Sequence, residues 1–251
     1  MTLDIITDDL LDGVNHGFFG RQGGASSGVF SGLNCGFGSS DQHDIVAINR
    51  SRVASAMGGT ADNMVGVHQI HSADVITITA AKPDKPKADG IVTATRGITL
   101  SVLTADCQPV LFADMDAGVI GAAHAGWQGA LTGVLDNTVD AMVGLGATRD
   151  NIVAVIGPSI SQRAYEVGPE FAERFIDEDP LNARYFAQGT GDRMQFDLPA
   201  FGLGRLRAAG IKDAAWTRHC TYSDPARFYS YRRSVHEKQA DYGRLIAAIQ
   251  L

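Results

Sequence analysis

Three short stretches carry side chains that bind metals or attack electrophiles: HQIHS at 68–72, TADCQP at 104–109 and AAHAGWQG at 122–129. Each lies at the end of a β-branched run and beside small residues that let other groups approach. A thiolate from Cys107 with imidazoles from His71 and His124 suits zinc, which takes mixed nitrogen and sulfur donors in a tetrahedron and, at catalytic sites, leaves the fourth position to water or substrate. The spacing alone is moderately specific, because there is no CxxC or HExxH and the fold must bring the three donors together. Other readings stand beside it. Each histidine is alternatively a hydrogen-bonded imidazole within a sheet, and Cys107 a packed thiol just ahead of Pro109. Cys107 and His124 also suffice for a thiolate–imidazole dyad that attacks an amide-like bond without metal, as in a cysteine hydrolase, which leaves His71 without a role. Read as a strand, HQIH points His68 and His71 to opposite faces. With His68 as a fourth ligand the site would close, and the chain would read as a metal-stabilised binding module.

These stretches need a scaffold, and the composition allows one. The 251 residues are 45% hydrophobic, enough to bury a sizeable core as one large domain or two small ones. The formal charge of −7, with both signs intermingled, gives no electrostatic footprint for nucleic acid or an anionic membrane surface. No run approaches the roughly 18 apolar residues of a membrane span, and MTLDIITDDLLDG carries acids where a secretory signal carries lysines. A cytoplasmic protein with small-molecule partners is the expectation. Three scattered cysteines, Cys35, Cys107 and Cys220, do not make a disulfide framework.

Along the chain, a glycine-rich start contains a short strand at His16 to Phe19. From Asp41 to Met57 the residues Ile45, Ile48, Val53 and Met57 recur at helical spacing, with Asp41 or Asp44 as the cap. Between 63 and 126, MVGVHQIH, DVITITA, GIVTA, ITLSVLTAD, PVLFAD and GVIGAAHAG read as six strands. AKPDKPKADG at 81–90 reads as an exposed turn between two of them. Gln128 to Leu145 is expected to be one helix with Leu131, Leu135, Val139 and Val143 on its buried face. The strand NIVAVIG, helices at Glu170 to Ile176 and Leu198 to Ala209, and a strand at Asp213 to Thr217 complete an α+β pattern. Clustered strands with segregated helices predict sheets covered by outer helices, not a doubly wound parallel sheet.

The residues match, in order, eight motifs of one family. HGFFGRQGGASSGVFSGLNCG, the pair Asn49-Arg50, HQIHSADV, KADGIVTA, TADCQPVLFAD, AAHAGWQG, IGPSISQRAYEVG and HCTYSDPARFYSYRRS resemble the signature of the bacterial laccase-domain proteins. These were once called polyphenol oxidases and are now described as purine nucleoside phosphorylases. The resemblance runs from about Asn15 to the C-terminus. It implies a single domain over 1–251, with mixed β-sheets sandwiched between outer helices in a four-layer α/β/β/α arrangement, and a zinc site held by His71, Cys107 and His124. It also implies phosphorolysis of adenosine, inosine, guanosine and methylthioadenosine, and deamination of adenosine. Cys35 stands where relatives more often carry an aliphatic residue and is expected to be a packing thiol. The tail SVHEKQADYGR is longer than in many relatives.

Phosphorolysis needs a phosphate site and stabilisation of charge on a departing purine. Arginine suits phosphate because its fork is planar, permanently charged and bidentate. The candidates are Arg21, Arg50 beside Asn49, and the pair Arg232 and Arg233, each of which is otherwise a surface cation or a partner for a nearby acid. Phe228, Tyr229 and Tyr231 are available to stack a purine or to fill the core. Deamination needs an activated water and a carboxylate that moves protons. Asp89 and Asp106 are the nearest acids, and Asp106, next to Cys107, is the first candidate to orient a metal-bound histidine. Seven histidines without HxH clusters do not furnish a multicopper oxidase. A single His₂Cys site would still accept copper where copper is supplied, which leaves a copper-dependent phenol oxidase as the alternative.

Overall fold

A computed structural model describes residues 2–81 and 85–251 of the chain. Two strands, β1 (Ile5–Ile6) and β2 (Asn15–Phe19), precede helix α1 (His43–Ala56). The β-rich stretch then supplies β3 (Met64–Val65), β4 (Val75–Thr77), β5 (Gly90–Thr93), β6 (Thr99–Thr104), β7 (Gln108–Asp114) and β8 (Val119–Ala125). Next come α2 (Trp127–Thr132), α3 (Val134–Gly144), β9 (Val153–Ile156), β10 (Glu166–Val167) and α4 (Pro169–Glu178). The chain continues through β11 (Phe186–Gln188), β12 (Met194–Phe196), α5 (Leu198–Ala208), β13 (Asp213–Trp216), α6 (Tyr231–His236) and β14 (Leu245–Gln250).

Two mixed sheets form the centre. One has the order β1-β2-β14-β6-β3, the other β13-β9-β7-β8-β5-β4, and a small sheet β10-β12-β11 stands apart. Strand alternation sorts the side chains into layers. On β7, Leu111 and Ala113 join Leu100, Val102 and Ala247 of the five-stranded sheet in a core between the two sheets. The alternate residues Val110 and Phe112 face outward and pack with Val134, Leu135 and Val139 of α3 and Phe201 of α5. On the opposite side, Val53 and Ala54 of α1 cover Phe19, Ile246 and Ala248. The result is a four-layer stack, helix, sheet, sheet, helices, as the family resemblance implies. Strands such as β7, buried along their whole length, read as continuous apolar runs because both faces are covered. Each fully buried Leu or Phe contributes about 1.5–3 kcal/mol of hydrophobic stabilisation.

The structure departs from the sequence expectations in four places. Helix α1 forms, but its buried face is Val46, Asn49, Arg50, Val53 and Ala54, while Ile48 is exposed. Asn49 is buried at no hydrophobic loss because its amide bonds to Ala25 N, Ser26 Oγ and Asn34 O. The helix cap is Gln42, without a side-chain bond, and Asp41 instead accepts from Ser26 and Asn34. The helix expected over Gln128 to Leu145 is broken at Gly133, which adopts φ 103° and starts α3 afresh. HQIH is not a strand: after Val65 the chain becomes a loop, tied at His68 by a single bridge to Lys87, and His71 has φ 60°. Of the expected exposed turn at 81–90, positions 82–84 lie outside the described residues, and its end is the reverse of exposed: Ala88 and Asp89 are fully buried.

Candidate metal centre

The trio assembles where the two sheets are stitched together. Strand β6 belongs to the five-stranded sheet and β7 to the six-stranded one, so Ala105, Asp106 and Cys107 form the step between layers. The step is tight. Asp106 takes φ 82°, a left-handed conformation that aspartate tolerates better than most residues, and its carbonyl accepts from Ile160 N at 2.9 Å. Cys107 therefore stands at the foot of β7, beside the β8 end that carries His124; His124 pairs across the ladder with Pro109. His71 arrives from the loop after β3. The three donor atoms lie within 4.8 Å of one another, and the two imidazole rings meet edge to face at 80°. Gly126 makes this approach possible: a Cβ there would lie 3.0 Å from both Cys107 Sγ and His71 Cδ2.

Asp89, just ahead of β5, holds two of the three donors in place. Its Oδ1 accepts from His124 Nδ1 at 2.8 Å, which turns Nε2 toward the trio. Its Oδ2 accepts from Ile70 N at 3.1 Å, Ser72 N at 2.6 Å and Ser72 Oγ at 3.0 Å, fixing the loop on either side of His71. Its own carbonyl accepts from His124 N. Burial opposes ionisation of Asp89, but the bonds from His124, Ser72 and Ile70 outweigh it and bring its pKa down to about 2. Burial likewise opposes charge on Cys107 and His124. The two groups overcome it together, with the thiol lowered to about 7 by the imidazoles and His124 raised to about 9 by the Cys107 thiolate and Asp89. Two imidazoles and an easily ionised thiol, one imidazole braced by a carboxylate, form a donor set that fits a three-ligand zinc site.

His71 and Cys107 open onto a cleft of about 590 Å³. Trp127, Tyr165 and Phe171 make its apolar wall, with Trp127 and Phe171 ring centroids 5.0 Å apart. Phe175 and Phe196 behind them anchor α4 and the small sheet. Arg232 lines the cleft beside Tyr165; it donates to the Glu166 carbonyl at 2.7 Å, and its guanidinium sits 5.3 Å from the Tyr165 ring centroid. Arg193 and the half-exposed Tyr231 complete the rim.

The other sequence candidates are placed elsewhere or differently. Asp106 reaches the cleft wall, but its carboxylate accepts from Thr221 Oγ1, Ser230 Oγ and Arg232 N, so it braces the start of α6 and does not touch the histidines. Burial raises its pKa against the pull of those bonds. The carboxylate that orients His124 is Asp89, the second of the two acids offered for that role, not the first-ranked Asp106. Arg21 and Arg233 line a separate recess of about 150 Å³. Arg233 is spent on the carbonyls of Thr221, Tyr222 and Phe228. Arg21 caps those of Ser31 and Pro225. Asn49 is internal, and Arg50 lines a third cavity with Phe37 and Lys85. Phe228 and Tyr229 are core, leaving Tyr231 alone of the three aromatics at the cleft. Cys35 is a buried packing thiol whose pKa is pushed up to about 12 by burial. Trp127, Tyr165 and Phe171 were missed, although AAHAGWQG and RAYEVG already contained the first two.

The chain is similar to known proteins in both sequence and fold. The family described as multi-copper polyphenol oxidoreductase laccase matches residues 15–251. A Deinococcus radiodurans protein named purine nucleoside phosphorylase is 40% identical over 245 residues, covering 95% of this chain and 89% of that one. The Escherichia coli K12 protein named purine nucleoside phosphorylase YfiH is 36% identical over 213 residues, covering 85% and 86%. Among solved structures, a Neisseria meningitidis protein superposes with a TM-score of 0.90 at 32% identity, covering 100% of this chain and 99% of that one. The YfiH protein of Bacillus licheniformis gives 0.88 at 28% identity, covering 95% and 92%. With a match over nearly its full length and relatives this similar at both sequence and fold, the chain belongs to the family described as multi-copper polyphenol oxidoreductase laccase.

Proposed function

We propose that this chain is a zinc-dependent purine nucleoside phosphorylase acting on adenosine, inosine, guanosine and methylthioadenosine. The observation that carries the reading is the convergence of the His71–Cys107–His124 trio, an aromatic wall and Arg232 on one cleft. The name borne by the Deinococcus and E. coli relatives supports it.

In phosphorolysis a phosphate oxygen bonds to ribose C1′ as the C1′–N9 bond breaks and the purine leaves with the electron pair. Trp127, Tyr165 and Phe171 offer flat apolar surface to the purine. Burial raises the Tyr165 pKa, so its phenol stays protonated and donates a hydrogen bond to the departing base. Arg232 keeps one arm on the Glu166 carbonyl and presents its remaining donors to phosphate. His71, Cys107 and His124 would hold the zinc ion, which would supply fixed positive charge where negative charge develops. Adenosine deamination ranks below phosphorolysis: both oxygens of Asp89 and both of Asp106 are engaged within the protein, which among the described residues leaves the exposed Glu166 and Glu170 to move protons at the cleft.

One observation favours a second reading. A thiol lowered to about 7 beside an imidazole raised to about 9 is also the pairing of a cysteine hydrolase. A multicopper oxidase lacks comparable support, because the trio is the single three-donor group among the described residues.

The test is to purify the protein from copper-free medium, measure metal per chain, and incubate it with adenosine with and without phosphate. About one zinc per chain and phosphate-dependent release of adenine, abolished by Cys107→Ala and by His71→Ala, is the expected result. Amide hydrolysis that survives chelation would move the case to the hydrolase. Absence of nucleoside turnover by the zinc-loaded protein would overturn the substrate assignment.

A further inference from the structure

Behind the trio, away from the cleft, lie two further cavities. The nearer, about 270 Å³, is lined by His71, Cys107 and His124 on one side and by Phe37 and Lys85 on the other. The farther, about 410 Å³, shares Phe37 and Lys85 with it and adds Arg50. That volume lies within the range of about 300–1,000 Å³ common for small-molecule sites.

Arg50 is the unusual member. It projects from the covered face of α1 with only 8% of its surface exposed, and its one hydrogen bond among the described residues is to the Cys35 carbonyl at 3.3 Å. A guanidinium has five N–H donors, and a buried charge is retained at a large desolvation cost unless something pairs with it. No carboxylate among the described residues forms an ion pair with it. The neighbouring Cys35 thiol, pushed up to about 12, stays neutral and supplies no counter-charge. A second cation faces the same space: Lys85 Nζ lies 5.1 Å from the Phe37 ring centroid and the Arg50 guanidinium 5.6 Å from it. The ring face offsets part of the charge. Burial and Arg50 together depress the Lys85 pKa, the mark of two cations held near each other. Asp62, the acid on the cavity wall, is exposed and pairs with neither.

We propose that the cavity lined by Arg50, Lys85 and Phe37 is a second ligand site that binds a phosphoryl dianion, distinct from the cleft that holds Arg232. A planar fork and a mobile ammonium converging on one space suit tetrahedral oxygens carrying two charges. The phosphoryl group comes from free orthophosphate or from a phosphorylated nucleoside. The chemistry required of the protein is the same for both.

The full-length protein is titrated calorimetrically, at constant ionic strength, with orthophosphate and separately with adenosine 5′-monophosphate. Arg232→Gln removes the arginine assigned to phosphate in the cleft, and the binding then lost on a further Lys85→Gln is read as the second site. In that background Lys85→Gln is expected to weaken binding at least tenfold and Arg50→Gln more. Lys85 is exposed, so its variant tests the site even where Arg50→Gln fails to fold. Saturation by orthophosphate assigns the free ion; saturation by the nucleotide alone assigns a carried phosphate. Binding by neither, or equal binding with and without Lys85→Gln, would overturn the proposal. Because the readout is binding, the result stands apart from whether adenosine is phosphorolysed.

Discussion

At the scale of single residues, one carboxylate does the work of several. Asp89 braces His124 through one oxygen and the loop that carries His71 through the other. Asp89→Asn should lower metal affinity about 10–100-fold, the range for lost partners of ligating histidines, as measured by competition with a chromogenic chelator. The same residue gives a pH signature. Its pKa falls from 3.8 to about 2 on folding, so its stabilisation is complete above 3.8 and disappears as pH drops through 2. Urea titrations of wild type and Asp89→Asn should therefore differ most above pH 3.8 and converge toward pH 2; a gap that widens on acidification would contradict the assignment. Gly126→Ala places a methyl 3.0 Å from Cys107 Sγ and His71 Cδ2, and should cost metal binding while circular dichroism keeps the native spectrum. By type, Cys107, His71 and His124 offered a metal trio as one reading among several, and the resemblance singled it out. Asp89 ranked behind Asp106 for orienting a histidine, because its place depends on a loop whose path no periodicity records and proximity in sequence favoured Asp106.

Among the elements, legibility follows how completely a segment is covered. The β-branched runs behind β5 to β8 were read correctly since both faces are apolar. For α1, the helix was legible and its orientation was not: Asn49 and Arg50 occupy the inward face that Ile45 and Ile48 were expected to fill. Asn49, buried with its own partners, and Arg50, buried with a single hydrogen bond among the described residues, invert the hydrophobic pattern. The break between α2 and α3 escaped notice because one glycine within apolar periodicity is ordinarily tolerated. At Gly133, φ 103° is unfavourable for any residue with a Cβ, whereas the space beyond is open to 3.6 Å. Gly133→Ala should destabilise the protein by about 1–2 kcal/mol through backbone strain alone, read as a lower urea midpoint with an unchanged m-value.

For the whole molecule, the centre joins chain segments that enter from different layers: the step between the two sheets, the end of β8 and the loop after β3. An ion bound only by the folded arrangement stabilises it by RT ln(1 + [M]/Kd), about 2.7 kcal/mol at a hundredfold excess over Kd. Chelation should lower the melting temperature of the wild type by several degrees and leave Cys107→Ala unmoved; equal shifts in both would show that the ion acts elsewhere. The layer order was reached through resemblance, since pairings such as β14 between β2 and β6 join residues more than a hundred positions apart, which no local pattern reveals. That last pairing bears on how the protein is made. The central strand of the five-stranded sheet is residues 245–250, so a growing polypeptide holds β2 and β6 with bare backbone edges until every residue before that strand has been made. Synthesis interrupted shortly before that point yields a chain with its helices and metal donors already present and two sheet edges open to other chains, a product bound for aggregation.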